Sequence, residues 1–324
     1  MGLLPKVKFS YRPALFVLFG FLIGILLGWL IFSGNNKIIS DSKFTNPRAQ
    51  VSYSKNKKPQ EKTELQEKLN KTIYKIIDDK GVDSISVYFR AFEQGDWVGV
   101  NEDLRYAPAS MFKVPLAIAY YKFAQVQPEI LSKNLVFNER VDFNKRKAID
   151  SLAPSLEKNK SYTVKNLIER MLIYSDNNAL DILESNLDKT FFKEVDTDLG
   201  LPFPYKAGDQ DFISPKSFSI IYRMLYNNSY LKREFSEEIL KMLSQSEFNK
   251  GLKAKLPSEI VVAHKFGEKT FNENNPNESR EFHDCGIVYH DTGPYSIRIM
   301  TIGKNLDTLE SVVADISELV DKNR

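Results

Sequence analysis

The sequence predicts an α+β protein in which one antiparallel sheet is flanked by N- and C-terminal helices and carries an inserted all-helical lobe. Three observations point there. Residues 83–101 and 259–303 are strand-like runs, the stretch from about 110 to 257 runs mostly in helical period, and amphipathic helices open and close the same region. Strands from both ends of such a region can join into one sheet, and a cleft between sheet and lobe is a usual place for a site.

Residues 1–13 form a short tail with Lys6, Lys8 and Arg12 and no acidic residue. Ala14 to Phe32 follow as 19 residues without a charge, long enough to cross a bilayer as one helix. The preceding basic residues favour the tail inside and everything after Phe32 outside, although Lys37, Lys43 and Arg48 follow on the other flank. The run ends in LIFSGN, a poor cleavage site, so an uncleaved single-pass anchor with an extracytoplasmic domain is expected. Gly20, Gly24 and Gly28 recur every four residues, a spacing compatible with a weak homodimer of such helices. Residues 33–60 are polar and without period, which reads as a flexible tether.

The domain proper spans 61–324. Leu65, Leu69, Ile73, Ile76 and Ile77 recur at helical spacing and predict an amphipathic helix over 62–79. DSISVYFRAF and WVGVN flank EQGD and predict a β-hairpin. Four segments carry the helical lobe after Ser110: TVKNLIERMLIY, NNALDILESNL, SPKSFSIIYRMLYNN and SEEILKMLSQ. Three strand-like runs follow, EIVVAHKF, EFHDCGIVYH and YSIRIMTIG, and LDTLESVVADISELVDK closes the chain as a helix.

A net charge of +3 gives no case for nucleic acid as a partner. The lone cysteine, Cys285, cannot form an intrachain disulfide. His264, His283, His290, Asp284 and Cys285 invite a metal reading. On a strand, however, His283 and Cys285 face one way and Asp284 the other, and no H-E-x-x-H or paired C-x-x-C occurs. Neither metal nor cofactor is expected.

The chemistry-bearing stretch is APASMFKVPLAIAYY, where Ser110 and Lys113 stand three residues apart before an apolar run. S-x-x-K occurs six times in the chain, and only this copy precedes a buried helix. A serine hydroxyl needs a base to become a nucleophile. A lysine can serve only if held neutral, which at pH 7 costs roughly 4.6 kcal/mol from its ordinary pKa. Burial and a second nearby cation both act in that direction. A capping serine followed by a surface lysine would give the same local pattern, but it leaves two further pieces unaccounted for. Ser175, Asp176 and Asn177 precede an apolar helical segment, and Lys265 and Gly267 end a predicted strand.

S-x-x-K at Ser110, S-D-N at Ser175 and K-x-G at Lys265, in that order, resemble the three elements of the penicillin-recognising serine hydrolases, in particular their class A β-lactamase branch. The resemblance covers about residues 61–324 and implies the β-lactamase/transpeptidase-like fold. It implies Ser110 as the acylated nucleophile, Lys113 as its activator and Ser175 as a relay of the proton to the leaving nitrogen. Asn177 would bond the substrate's side-chain amide, and Lys265 its carboxylate. Gly267 would leave room for substrate along the strand, and the backbone N–H groups of Ser110 and Glu268 would form an oxyanion hole. Asp176 is expected to pin its loop.

Two departures stand out. Phe266 occupies the place where the family usually has a threonine or serine hydroxyl. The stretch LGLPFPYKAGDQDFISP, where class A enzymes carry the deacylating glutamate, has only Asp209 and Asp211 as carboxylates. The implied activity is opening of β-lactam amides. A carboxypeptidase acting on D-alanyl-D-alanine peptides, or a penicillin-binding domain that deacylates slowly or not at all, is the alternative.

Overall fold

A computed structural model describes residues 43–47, 63–138, 141–146, 149, 154–201, 212–271 and 278–324. Helix α1 (Thr63–Lys80) buries Leu65, Leu69, Ile73 and Ile76 as one stripe, because residues three and four apart share a helix face. Gly81, at φ 64°, turns the chain into β1 (Val82–Ala91) and then β2 (Trp97–Val100). Gly95, at φ 75°, makes the hairpin turn that the sequence signals with EQGD.

The remaining long strands are β5 (Val261–Thr270), β6 (Arg280–Tyr289) and β7 (Tyr295–Gly303). They complete an antiparallel sheet of order β2-β1-β7-β6-β5. The early hairpin thus joins the late strands through the β1–β7 pair, as the sequence predicts, and β5 is left as an edge. Helix α8 (Leu306–Asn323) packs beside α1 on one face, burying Leu309, Val312, Val313, Ile316 and Val320.

The other face carries the lobe. Its centre is α2 (Lys113–Ala124), buried on nearly every side, as befits a helix apolar all round. Around it lie α3 (Val164–Ile173), α4 (Asn177–Asn186), α5 (Lys189–Asp198), α6 (Pro215–Asn227) and α7 (Arg233–Ser244). A short ribbon pairs β3 (Asn134–Val136) with β4 (Ser161–Thr163). Local signals set the helix starts. Thr163 caps α3 by accepting from the Asn166 N–H, and Ser214 and Ser217 form a reciprocal capping box ahead of α6, with Pro215 in its first turn.

Among the described residues no helix is long and apolar enough to cross a membrane. The apolar stretch 14–32, with Gly20, Gly24 and Gly28, and most of the tether lie outside the described residues.

Within the segment that the sequence reads as tether, residues 43–47 are docked on the lobe. The Glu237 carboxylate accepts from the backbone N–H groups of Lys43, Phe44 and Thr45 at 2.8, 2.8 and 2.9 Å. Phe44 is buried edge-on against Tyr289, whose hydroxyl donates to the Phe44 carbonyl at 2.8 Å. Glu237→Ala is expected to abolish hydrogen-exchange protection at these three amides. It should also lower stability by about 1–3 kcal/mol, since bonds to a charged acceptor are among the stronger ones.

Asp196, in α5, is fully buried and both carboxylate oxygens lack a hydrogen-bond partner. Burial alone pushes its carboxyl up to about 8. The folded state therefore holds a proton that the unfolded chain releases near pH 4, and stability falls as pH rises from about 4 to about 8. Asp196→Asn is expected to raise the thermal midpoint at pH 7 relative to the parent. The difference should fade toward pH 4, which melting curves across that window would reveal.

Candidate active site

Ser110 sits where the sheet meets the lobe. After β2 the chain forms a bridge, with Tyr106 exchanging backbone hydrogen bonds with Ile213. A 3₁₀ turn then runs from Ala109 to Phe112, entered through Ala109 at φ 45°, a left-handed conformation that a side chain rarely adopts. Helix α2 starts only at Lys113. The sequence reading placed Ser110 on the helix itself. In a turn of three residues per revolution, i and i+3 eclipse one another, so the Ser110-to-Lys113 spacing still sets both on one side.

Ser175 lies at the corner between α3 and α4 and is itself left-handed, at φ 56°. Its neighbour Asp176 holds the corner in place. The Asp176 carboxylate caps α4 by accepting from the backbone N–H groups of Asn178 and Ala179. It also accepts from Arg170 Nε at 2.9 Å and from Asn144 Nδ2 at 2.9 Å. This is the pinning role expected of Asp176. Asn144 completes it by accepting from the Asn177 N–H at 2.7 Å.

Lys113 and Lys265 are 0% and 1% exposed, which excludes the reading of Lys113 as a surface lysine. Lys113 Nζ donates to the Ser175 carbonyl at 2.8 Å, to Ser175 Oγ at 3.0 Å and to Asn177 Oδ1 at 2.6 Å. Lys265 Nζ reaches the same Ser175 Oγ at 3.0 Å and donates to the Phe266 carbonyl at 2.9 Å. Two buried amines therefore share one hydroxyl, the arrangement expected around a lysine asked to act as a base.

Lys265 and Gly267 face the lobe from the edge strand β5, while Phe266 and Glu268 alternate to the other side. A methyl group on Gly267 would lie 3.0 Å from the Pro108 carbonyl oxygen, 3.1 Å from the Ser110 backbone N and 3.2 Å from Ala109 Cβ. The absent side chain lets the strand edge press against the turn carrying Ser110, a packing role beside the substrate-side role implied by the resemblance. It also brings the Ser110 N–H next to the Gly267–Glu268 segment. Phe266 is buried and stacks on Phe248, with ring centres 4.0 Å apart. Lys265 Nζ lies 4.1 Å from the centre of the same Phe266 ring.

A match to the family model described as "Beta-lactamase enzyme family" spans residues 65–323. The chain belongs to the beta-lactamase enzyme family. It is accordingly a serine hydrolase. Solved structures share the fold. PBP-A, in a variant captured as an acyl-enzyme complex with penicillin G, is 19% identical with a TM-score of 0.67, over 81% of this chain and 96% of that one. A beta-lactamase from Chitinophaga pinensis is 22% identical with a TM-score of 0.67, over 81% and 100%. The TLA-1 extended-spectrum beta-lactamase is 21% identical with a TM-score of 0.65, over 79% and 97%. No curated protein sequence matches the chain.

Within this beta-lactamase-family frame, the sequence-predicted residues Ser110, Lys113, Ser175, Asn177, Lys265 and Gly267 converge on one seam between sheet and lobe, with Glu268 at its end. Asp209 and Asp211 lie outside the described residues. His283 is buried in packing. Its Nδ1 accepts from the Thr301 N–H at 3.3 Å, its Nε2 faces Glu281 at 3.3 Å and its ring meets Tyr106 edge-on. His264 is likewise internal, bonded to Asp284 at 2.9 Å. Among the described residues no group of three or more His, Cys, Asp or Glu could hold a metal ion.

Three contributors escaped the sequence reading. Asn144 lies in a short 3₁₀ turn, Phe143–Arg146, too brief to leave a periodic signal. Phe248 follows the end of α7 in a short polar stretch. Glu281 accepts from the Ala107 N–H at 3.1 Å, just before the nucleophile turn. Only Glu281 carried a signal, as an acidic residue in the strand run EFHDCGIVYH.

Proposed function

We propose that this chain opens β-lactam amides through an acyl-enzyme on Ser110. The observation that carries the proposal is the bonding of two buried lysines, Lys113 and Lys265, to one Ser175 hydroxyl. As a neutral amine, Lys113 would keep two of its three observed N–H bonds, to the Ser175 carbonyl and Asn177 Oδ1, and give up the one to Ser175 Oγ. Its lone pair would then take the Ser110 proton. The Ser110 Oγ–carbon bond forms as the amide C–N bond breaks, and the proton passes through Ser175 to the leaving nitrogen. Water then splits the ester, releasing the acid and restoring the serine. The Ser110 and Glu268 N–H groups would hold the developing oxyanion, where loss of one donor typically costs about 3 kcal/mol.

Residues 199–215 contain no glutamate, which favours slow deacylation. That observation supports a second reading, a D-alanyl-D-alanine carboxypeptidase or a penicillin-binding domain. The apolar run 14–32 and its basic flank support a single-pass anchor with the enzyme outside, and Gly20, Gly24 and Gly28 allow that helix to pair weakly.

The test is to follow a chromogenic cephalosporin with the full chain beside Ser110→Ala, while release of D-alanine is measured from a D-alanyl-D-alanine peptide. Colour turnover lost in Ser110→Ala is the expected result. Peptide release without colour turnover moves the assignment to the carboxypeptidase, neither activity but a lasting adduct on Ser110 moves it to the penicillin-binding domain, and neither activity with no adduct overturns all three.

A further inference from the structure

Glu281 and His283 stand two residues apart on β6, on one face of the strand, and both are fully buried. Glu281 Oε2 accepts from the Ala107 N–H at 3.1 Å, three residues ahead of Ser110. The same oxygen lies 3.3 Å from His283 Nε2. His283 Nδ1 accepts from the Thr301 N–H, so the ring proton sits on Nε2 and is donated to Glu281. Glu281 Oε1 has no hydrogen-bond partner among the described residues. A carboxylate kept so deep with one oxygen idle costs the fold stability, whereas an apolar side chain would fill the same place without that penalty.

What Glu281 holds is the entry to the nucleophile turn. Ahead of it, Tyr106 is fixed by its bridge to Ile213 and by its hydroxyl, 2.9 Å from Ser84 Oγ and 2.7 Å from Ser86 Oγ. On the strand side, Gly267 stands opposite His283 and leaves no room between β5 and the turn. Between these fixed points the Ala107 N–H is buried, and its bond to a carboxylate is charge-assisted, a stronger kind than a bond between neutral groups. Pro108 follows with its ring-locked backbone, and then Ala109 in the left-handed conformation, which persists only where its surroundings enforce it. A shift at Ala107 therefore passes through a stiff link to Ser110.

We infer that Glu281, itself held by His283, is a positioning residue for acylation. It fixes the Ala107 N–H and thereby aims the Ser110 hydroxyl and N–H, without touching substrate. The inference rests on the reading of Ser110 as the acylated nucleophile.

The test uses the full chain, with benzylpenicillin acylation followed by rapid quench and mass. Glu281→Ala should lower the saturating acylation rate by about 10- to 100-fold, as small displacements of a reacting group do. Benzylpenicillin binding, measured by calorimetry in a Ser110→Ala background, should change less than twofold on adding Glu281→Ala. Glu281→Gln keeps an acceptor for the Ala107 N–H and should recover most of the lost rate. A parent-like rate in Glu281→Ala, a glutamine variant as slow as alanine, or binding weakened in step with the rate would each overturn the inference.

Hydrogen exchange gives a readout that needs no chemistry. The Met111 N–H donates to the Pro108 carbonyl at 3.0 Å. Glu281→Ala should lose protection at the Ala107 and Met111 amides while β5, β6 and β7 stay protected, and unchanged protection overturns the inference. An unacylated parent, with that protection lost in Glu281→Ala, strikes the β-lactam reading alone. If Glu281→Ala does not fold, His283→Phe decides, because it keeps a ring but removes the donor that holds Glu281. A parent-like rate together with parent-like protection in His283→Phe would then overturn the inference, and a slower rate with unchanged binding would support it.

Discussion

Lys113→Ala is expected to slow acylation of Ser110 by about 10²- to 10⁴-fold, the range a positioned general base contributes. The geometry gives the reason. Lys113 is fully buried and held by Ser175 and Asn177, so its removal takes away the base and also unties the Ser175 hydroxyl from one of its two amines. Truncation also leaves a cavity next to Asn177 Oδ1, at a stability cost of about 1–3 kcal/mol for the acceptors left unbonded. Lys113→Arg keeps a cation and most of the volume but cannot lose its proton near neutral pH. It should be as inactive as alanine if the lysine acts as a base. Rapid-quench acylation rates for the two variants, read beside their melting curves, separate the chemical loss from the structural one.

Gly267→Ala is expected to lower kcat by about 10- to 100-fold, because small displacements of a reacting group are costly. The added methyl would meet the Pro108 carbonyl at 3.0 Å, the Ser110 N at 3.1 Å and Ala109 Cβ at 3.2 Å. Two of these are backbone atoms of the strained turn that carries the nucleophile, so relief of the contact moves the Ser110 N–H and Oγ together. Overpacking of this kind costs about 1–3 kcal/mol, so the variant should remain folded. Substrate-analogue binding to Gly267→Ala should change much less than kcat, whereas a glycine needed only for substrate access would raise KM instead.

Most of the frame was legible because it rests on repeating patterns. The stripe from Leu65 to Ile76 gave α1, EQGD gave the hairpin, and the alternation near both ends of the domain gave the strands that pair as β1 and β7. The site was legible through three short motifs whose order matched a known family. Features that depend on a single long-range partner were hidden. The 3₁₀ turn under Ser110 has no composition signal of its own. Residues 43–47 dock through backbone N–H groups on Glu237, and side-chain periodicity cannot report such bonds. Phe266 looked like an isolated departure because its meaning lies in Phe248, 18 positions upstream.

The central claim is that Ser110 is acylated with help from the buried lysine pair. Its most direct test is the intact mass of the full chain after brief exposure to benzylpenicillin and acid quench, with the adduct mapped by peptide. The account predicts one penicilloyl group on the peptide containing Ser110, absent in Ser110→Ala and strongly slowed in Lys113→Ala. An adduct elsewhere, or one that persists unchanged in Ser110→Ala, would contradict it.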